Sequence, residues 1–440
     1  MTPIARALIL VFALVVGRGA LAADPPIVFV HGNGDTSALW TTVIWRFESN
    51  GYDRRLLHAI DFANPNARSD DAKEQPNRSS TEDQKRALAA FVVEVKQKTG
   101  AAKVALVGNS RGGNTIRNYV KNGGGAAHVS HVVLGGAVNH GVFAFDVNLG
   151  SEFNGKGPFM QGLNAGPHEV VDGVAFMTIR SDKNDKYAQP DGRFIGRPGA
   201  PTGISYDAPA LKGATNVVLP ALDHREVSYH WLAFAETYRF VTGRAPARLD
   251  IVAETRPVLN GKVSGLASDD HTNLPVAGAT VTVFRIDPQI GARGARPVHR
   301  KTTGADGLWG PFRADPAAYY EFVVEIPGQP TQHVYRSPFS RGSAHVNFRP
   351  TAMTDDDRKA GSSVSINRPR GYFGHGRDEF TLDGRVPPGI NDGVPGASKG
   401  TIRFPDSARR AVKAVFNAET LMVTTWPASE NRLVIAEFHH

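Results

Sequence analysis

The sequence predicts an α/β fold with a mostly parallel sheet, followed by an all-β region. Two observations carry this prediction. Between about Ile27 and Gly243, short β-rich runs alternate with helical patterns, which is typical of a sheet whose strands are joined by crossover helices. After Gly243 the chain keeps strand-like alternation and turns but loses almost all helical periodicity. We therefore expect an α/β domain followed by sandwich-like β-domains.

The domain boundaries follow from local changes in composition. A chain of 440 residues is too long for one ordinary core and predicts two or three domains. The Arg-Ala-Pro-Ala-Arg segment at 244–248 has the pattern of a linker, and the acidic run at 355–357 interrupts the apolar pattern of the β region. The expected division is a signal peptide at residues 1–22, an α/β domain at 23–243, a β-sandwich at 244–350 and a second β-rich domain at 351–440.

Individual elements can be placed within the first domain. The clearest helix is expected over residues 80–98, where apolar residues repeat at helical spacing and Ser79 with Glu82 would form a capping box. A second helix over 231–241 closes the domain. The patterns typical of buried strands lie at 27–30, 56–62, 103–107, 131–135, 174–180 and 216–219. In the β region, the best strand is expected over 278–286, and a turn over 304–307.

The N-terminus has the pattern of a secretory signal. Arg6 precedes an apolar run at 7–16, and Ala20-Leu21-Ala22 places small residues where a signal peptidase cleaves. The run of about ten residues is too short to span a bilayer as a helix, and no later segment approaches the required length. The sequence therefore predicts a secreted or periplasmic protein without an integral membrane segment after cleavage; an uncleaved N-terminal anchor is the alternative.

Composition excludes several kinds of chemistry. The chain has no cysteine, which excludes disulfides, thiolate metal sites and cysteine nucleophiles. Its net charge is +8, but the Lys and Arg residues are scattered rather than clustered. This distribution does not indicate a nucleic-acid partner.

A candidate nucleophile lies in the segment Gly108-Asn109-Ser110-Arg111-Gly112, directly after an apolar run at 104–107. A serine on a sharp turn between a strand and a helix needs small neighbours, which explains a glycine two positions away on each side. The pattern predicts a nucleophile elbow at Ser110. The alternative is an ordinary strand-to-helix turn.

Nucleophilic serine catalysis also needs a base and a carboxylate that orients it. The loop after the strand at 174–180 contains Asp182 and Asp185; Asp185 is preferred because it lies deeper in the loop, whereas Asp182 follows the strand almost directly and can cap a turn. His224 follows the strand at 216–219 and is preferred as the base. His230 is expected to begin the last helix instead.

The oxyanion hole is expected at the end of the first strand. His31-Gly32-Asn33-Gly34-Asp35 follows that strand, and its glycines allow the backbone to approach a ligand. The main-chain N–H groups of Asn33 and Arg111 are the candidate donors.

Together, the segments at 31–34, 108–112 and 223–224 resemble those of secreted lipases of the class 2 type, which have an α/β-hydrolase fold. The loop 185–190 is similar to the acid loop of such lipases, where the aspartate precedes a proline. The resemblance covers about residues 25–243 and implies a triad of Ser110, Asp185 and His224. It also implies an oxyanion hole of Asn33 and Arg111. Many lipases carry histidine where this chain has Asn109. The appended β region is similar in layout to that of an archaeal lipase with a C-terminal β-domain.

Two groups of apolar residues, one in each half of the chain, have two interpretations each. The segment 142–173 is rich in aromatic and aliphatic residues, which suits either the rim or lid of an apolar pocket or ordinary helix packing. Aromatic residues of the β region form either a polymer-binding face or, as is commoner, part of the core. They are Trp309, Tyr319, Tyr320 and Trp426.

The expected function is a secreted serine carboxylic-ester hydrolase, a lipase or esterase, acting through an acyl-enzyme on Ser110. Its expected partner is an ester substrate, either soluble or an insoluble lipid or polyester. No metal or organic cofactor is required, because the serine, base and oxyanion donors complete the cycle. An extracellular polyester depolymerase with the same triad is the main alternative. An amidase or peptidase would use the same residues, and a non-catalytic binding protein is a further hypothesis.

Overall fold

The computed structural model of the protein describes residues 24–267, 270–390 and 392–440. The expected signal peptide at 1–22 lies outside the described residues. The first half contains a six-stranded sheet in the order β2-β1-β5-β6-β7-β8, and every pair in it is parallel. Its strands, with a short two-stranded pair β3-β4, are β1 (Ile27–Val30), β2 (Leu57–Ile60), β3 (Asn66–Ala67), β4 (Arg78–Ser79), β5 (Val104–Asn109), β6 (Val129–Gly135), β7 (Ala175–Ser181) and β8 (Thr215–Leu219).

Helices cover both faces of this sheet. The side chains of β1 alternate between the faces: Ile27 and Phe29 pack with α1 and α6, whereas Val28 and Val30 pack with α2 and α3. This burial on both faces explains why β1 and β5 are continuous apolar runs. The helices are α1 (Thr41–Ser49), α2 (Thr81–Thr99), α3 (Arg111–Asn122), α4 (Pro158–Asn164), α5 (Glu226–Tyr229), α6 (Trp231–Thr242) and, in the β region, α7 (Asp355–Lys359).

All six predicted strands of the α/β half form, with ends shifted by at most two residues. The predicted capping box of the longest helix is wrong by one residue. Ser80 and Asp83 form the box at the start of α2, with Asp83 N donating to Ser80 Oγ at 3.1 Å and Ser80 N donating to Asp83 Oδ2 at 2.9 Å. The Ser79 hydroxyl instead donates to the Asn64 carbonyl at 2.7 Å, so a tertiary contact decides which serine caps the helix.

The β region is organised around a seven-stranded sheet in the order β13-β12-β15-β16-β22-β17-β19. Strands β16 and β22 pair in parallel, so strands from both sides of residues 350–361 belong to the same sheet. A three-stranded sheet β18-β20-β21 and the pairs β10-β11 and β14-β9 complete the region. The strands are β9 (Val258–Leu259), β10 (Ser264–Ala267), β11 (Asp270–Pro275), β12 (Thr280–Ile286), β13 (His299–Thr302), β14 (Phe312–Arg313), β15 (Tyr319–Glu325), β16 (Thr331–Arg336), β17 (Ser362–Asn367), β18 (Phe380–Leu382), β19 (Lys399–Phe404), β20 (Ala411–Phe416), β21 (Glu419–Thr424) and β22 (Arg432–Glu437).

Aromatic residues of the β region lie mainly in its core. Trp309 and Tyr320 are fully buried in one hydrophobic cluster, and Trp426 is buried in another, where its ring stacks on His333 with centroids 4.6 Å apart. The core interpretation of these three residues is therefore the right one. Tyr319 is only partly buried.

The β region packs directly against the α/β half through α1. Trp45 of α1 belongs to the core of the β region and donates its indole N–H to the Gly342 carbonyl at 2.8 Å. Glu48, also on α1, accepts from Arg341 of the β region at 2.6 Å. Within the described ranges, no helix is both long enough and apolar enough to cross a membrane.

Candidate active site

Ser110 lies on the sharp turn between β5 and α3. Its φ of 54° and ψ of −126° place it in a backbone conformation that non-glycine residues rarely adopt. The flanking glycines are required by close packing: a Cβ on Gly112 would lie 2.4 Å from the Val30 carbonyl oxygen, and one on Gly108 would lie 2.6 Å from Ile116 Cδ1. This geometry is that of a nucleophile elbow.

The glycine-rich loop after β1 packs against this elbow. A Cβ on Gly32 would lie 2.9 Å from Ser110 Cβ, so only glycine allows the loop to approach so closely. The next residue, Asn33, lines the same cavity as Ser110, and its side-chain oxygen accepts from Ala67 N at 2.7 Å. That bond holds the loop, and with it the Asn33 main chain, beside the serine.

Arg111 begins α3 immediately after Ser110. Its N–H belongs to the first turn of the helix, where N–H groups lack partners within the helix. Its buried side chain is anchored away from the turn by Glu152, with Nε and Nη2 donating to the two carboxylate oxygens at 2.7 and 2.6 Å. The main-chain groups predicted to form the oxyanion hole therefore lie on the two segments that meet at Ser110.

The loop after β7 brings Asp185 to His224. His224 Nδ1 lies 2.8 Å from Asp185 Oδ1 and 2.9 Å from Oδ2, and both side chains are buried. Tyr187 N also donates to Asp185 Oδ1 at 2.8 Å, and the Tyr187 ring contacts the His224 ring edge-on with centroids 4.5 Å apart. Among the described residues, His224 Nε2 has no hydrogen-bond partner. That nitrogen is therefore free to exchange a proton with a group in the cavity that His224 lines together with Ser110.

The alternative residues have other partners. Asp182 Oδ1 accepts from Lys183 N at 2.6 Å and from Ala221 N at 3.2 Å, so it joins its own loop to the loop after β8 and does not contact His224. Burial opposes ionisation of Asp182, but these N–H donors outweigh it and lower the pKa of the carboxyl. His230 is the N-cap of α6 and accepts from Leu232 N at 3.4 Å. Burial lowers the pKa of His230 to about 4.

Asn109, which stands where many lipases have histidine, links three segments of the site. Its side-chain NH2 group donates to the Gly135 and His224 carbonyls, each at 3.0 Å, and to Ser228 Oγ at 2.9 Å. The residue before the nucleophile therefore fixes the loop that carries His224 against the end of β6.

The cavity beside Ser110 has a volume of about 240 Å³. From the segment 142–173, Val142, Phe143 and Phe153 line it, whereas Met160 and Leu163 are fully buried in the protein interior. Some residues of that segment therefore form the rim of an apolar pocket, and others take part in ordinary helix packing. The full lining consists of Gly32, Asn33, Asp35, Asn109, Ser110, Val138, Val142, Phe143, Phe153, Tyr187, Ile195, His224, Arg225 and Tyr372.

Tyr372, which comes from the β region, was not expected from the sequence. Its main-chain N–H donates to Asp223 Oδ2 at 2.7 Å, next to His224 in the chain. The Lys186 ammonium lies 4.0 Å from the centre of its ring. Burial lowers the pKa of Lys186 to about 8. The β region is therefore part of the wall of the candidate site, and no local sequence pattern marks a residue so distant in the chain.

A buried ion network from the β region supports the His224 loop. Arg368 donates to Asp223 Oδ2 at 3.0 Å and also bonds Glu226 Oε1, while Arg377 bonds Glu226 Oε2 at 2.6 Å. Burial opposes ionisation of Glu226, but Arg368 and then Arg377 outweigh it and lower its pKa to about 2. For Asp223, burial and the neighbouring Glu226 carboxylate raise the pKa. Two residues that flank His224 are thus held by arginines from the β region.

Among the residues that the structure describes, no group of three or more His, Asp or Glu side chains is arranged to hold a metal ion.

The fold and the site together define an α/β-hydrolase: a parallel sheet covered by helices, with a serine on a nucleophile elbow and a His–Asp pair in the later loops. Residues 24–156 match the family model of class 2 lipases, and residues 258–353 match that of the lipase C-terminal domain. Residues 24–156 therefore belong to a class 2 lipase domain, and the β region carries a lipase C-terminal domain. This family membership makes it a carboxylic-ester hydrolase.

Solved structures similar to this chain include other lipases. A Bacillus licheniformis lipase in its mature form is 21% identical, with a TM-score of 0.38, over 50% of this chain and 93% of that chain. The propeptide form of the Bacillus licheniformis lipase is 16% identical, with a TM-score of 0.39, over 92% of this chain and 93% of that chain. A monoacylglycerol lipase from Paleococcus ferrophilus is 13% identical, with a TM-score of 0.34, over 50% of this chain and 96% of that chain.

Proposed function

We propose that the protein is a secreted serine lipase or esterase that cleaves carboxylic esters through an acyl-enzyme on Ser110. One observation carries the proposal. His224 is bonded through Nδ1 to Asp185, and its unbonded Nε2 belongs to a side chain that lines the same cavity as Ser110. A histidine whose Nδ1 is held by a carboxylate and whose Nε2 is unbonded can serve as the general base for a serine hydroxyl in the same cavity.

In the proposed first half-reaction, Ser110 Oγ attacks the acyl carbon of the ester while His224 Nε2 takes the hydroxyl proton. The carbonyl oxygen becomes an oxyanion that accepts from the N–H groups of Asn33 and Arg111. Asp185 stabilises the imidazolium through Nδ1. The C–O bond to the alcohol then breaks, and the departing alkoxide takes the proton from His224 Nε2, which leaves an acyl-Ser110 ester.

In the second half-reaction, water attacks the acyl-Ser110 carbon and gives a proton to His224 Nε2. The bond to Ser110 Oγ breaks, Oγ regains that proton, and the carboxylic acid leaves. The side chains of Val138, Val142, Phe143, Phe153 and Ile195 give the cavity an apolar wall. This wall supports an ester whose acyl group is itself apolar.

The test is hydrolysis of p-nitrophenyl esters of increasing acyl length by the purified protein and three variants. Ser110→Ala should abolish turnover. Asp185→Asn should lower kcat by about 10⁴-fold, because it stabilises the wrong imidazole tautomer. Asp182→Asn is the matched control from the same loop and should change kcat by less than about threefold. Far-UV circular dichroism establishes that each variant is folded.

Two results would contradict the proposal. The first is retained turnover in a folded Ser110→Ala variant. The second is a loss of kcat in Asp182→Asn that is much larger than the loss in Asp185→Asn, which would make Asp182 the acid.

Export of the protein is part of the same proposal and rests on the signal pattern at 1–22 alone. Expression of the full chain in a bacterial host, followed by N-terminal sequencing of the exported fraction, tests it. Cleavage after Ala22 is expected. Protein that stays in the cell with an intact N-terminus would contradict export.

A further inference from the structure

A second cavity, of about 300 Å³, lies between the loop after β1 and the β region. We call it the arginine cavity, because the side chains of four arginines line it and only two carboxylates do. The arginines are Arg225, Arg336, Arg349 and Arg370, and the carboxylates are Asp35 and Glu437.

The two carboxylates are each matched to one arginine. Arg336 forms a close ion pair with Glu437, and Arg225 Nη2 lies 3.4 Å from Asp35 Oδ2. The other two arginines form no ion pair in the cavity wall. They feel only longer-range attraction, Arg349 from Asp35 and Asp61, and Arg370 from Glu437 and Glu419.

Arg349 and Arg370 donate only to neutral groups. Arg349 bonds the Gly34 and Asp35 carbonyls at 2.7 and 2.9 Å, as well as the side-chain oxygen of Asn273. Arg370 bonds the carbonyls of Phe438 and His439, each at 2.9 Å. In the described part of the chain, neither guanidinium has a carboxylate within 4.0 Å. Burial lowers the pKa of both groups, which reflects the cost of holding these charges away from water.

The wall of the cavity also holds N–H donors without acceptors. Arg336 Nε, Arg349 Nε and Gln332 Nε2 are buried and have no hydrogen-bond partner among the described residues. Arg336 and Gln332 are 5% and 2% exposed. These three atoms are shielded from the cavity, so the feature of the wall that matches an oxyanion is its excess of positive charge.

We propose that the arginine cavity binds a compact dianionic oxyanion, either a phosphate group or a dicarboxylate. Arg349 and Arg370 would supply both the positive charge and the N–H donors. The site is separate from the catalytic cavity but shares Asp35 and Arg225 with it. Because Arg349 also holds the carbonyls of Gly34 and Asp35, a bound anion would stabilise the loop that carries Asn33.

The test is isothermal titration of the full-length protein with inorganic phosphate and, separately, with succinate. Sodium chloride at equal ionic strength serves as the reference. Saturable binding of one anion per chain is expected, and the anion that binds more tightly identifies the preferred group. Arg349→Gln and Arg370→Gln should each weaken binding by about tenfold or more, because each removes a charge-assisted contact. The exposed Arg385→Gln is the matched control and should leave binding unchanged.

The thermal unfolding midpoint provides a second measurement that does not require the variants. In the parent, phosphate or succinate should raise the midpoint more than chloride does at equal ionic strength. The proposal is overturned if neither anion binds saturably or stabilises beyond chloride. It is also overturned if Arg349→Gln and Arg370→Gln, both folded, bind as tightly as Arg385→Gln. None of these measurements depends on ester hydrolysis, so this proposal can fail while the proposed function stands.

Discussion

Replacing Arg368 by Met removes the charge that joins the β region to the loop carrying His224. The Arg368 guanidinium bonds Asp223 and Glu226 and also donates to the main-chain oxygens of Tyr372 at 2.6 Å and His440 at 2.9 Å. Its side chain is only 4% exposed. Without it, two buried carboxylates face each other with one fewer cation.

The cost of breaking a buried ion pair on one side is about 3–5 kcal/mol. Glu226 keeps its bond to Arg377, and Asp223 keeps three N–H donors, from Arg225, Glu226 and Tyr372. The free energy of unfolding should therefore fall by about 3–4 kcal/mol, the lower part of that range. Turnover should fall as well, because a displacement of His224 by about 1 Å costs about 10²-fold in rate.

Urea titration measures the stability change, and hydrolysis of a short p-nitrophenyl ester measures kcat and KM separately. The expected kinetic signature is a lower kcat with a nearly unchanged KM. Arg368→Lys should recover only part of the loss, since an ammonium lacks the planar fork that reaches both carboxylates. Arg385→Gln is the control: its side chain is 59% exposed and lies 3.6 Å from Asp383, so its effect should be below about 0.5 kcal/mol. A change of less than about 1 kcal/mol in Arg368→Met, with kcat unaffected, would refute the reasoning.

Three further predictions concern the residues around the site. In thermal denaturation, Gly112→Ala should destabilise the protein by about 2–3 kcal/mol, because the added Cβ would lie 2.4 Å from the Val30 carbonyl oxygen. Gly162→Ala is the control: no atom lies within 4 Å of its added Cβ, so it should stabilise the protein by about 0.5–1 kcal/mol. Asn109→Ala should lower the free energy of unfolding by about 1–3 kcal/mol in the same measurement, since it leaves the Gly135 and His224 carbonyls without this donor. No change would mean that Asn109 does not hold the His224 loop in place. Burial lowers the pKa of His230 from 6.5 to about 4, so the unfolded chain binds a proton at this residue more readily than the folded chain does. The free energy of unfolding should therefore fall as the pH drops from 6.5 to 4, by at most about 3 kcal/mol from this group. His230→Asn keeps an N-cap acceptor without a titrating group and should show a shallower decline in urea titrations across that range, and an identical decline would exclude His230 as a cause.

The α/β half could be predicted from the sequence because its signals are local. Buried parallel strands have sequences that are short apolar runs. Turn residues follow β1, β5 and β7, and the ends of parallel strands meet at one edge of the sheet. Asp185 and His224 could be predicted because each lies in the loop that follows a recognisable strand. The choice of Asp185 over Asp182 depended on depth in the loop, and the structure places only Asp185 against His224.

Other features depended on contacts between distant parts of the chain. The capping serine of α2 was misplaced because Ser79 and Ser80 each precede an acidic residue by three positions, and only the contact of Ser79 with Asn64 decides between them. The contributions of Tyr372 and Arg368 to the site required knowledge of how the β region docks. Likewise, the parallel pairing of β16 with β22 joins strands separated by about half of that region, and no local pattern encodes it.

The central claim is that Ser110 carries the acyl group. Its most direct test is to react the purified protein with a fluorophosphonate, digest it and locate the adduct by mass spectrometry. We predict that Ser110 is the single phosphonylated residue. We also predict that labelling is much slower in His224→Ala. An adduct on another serine, or no adduct in a protein that hydrolyses esters, would contradict the account.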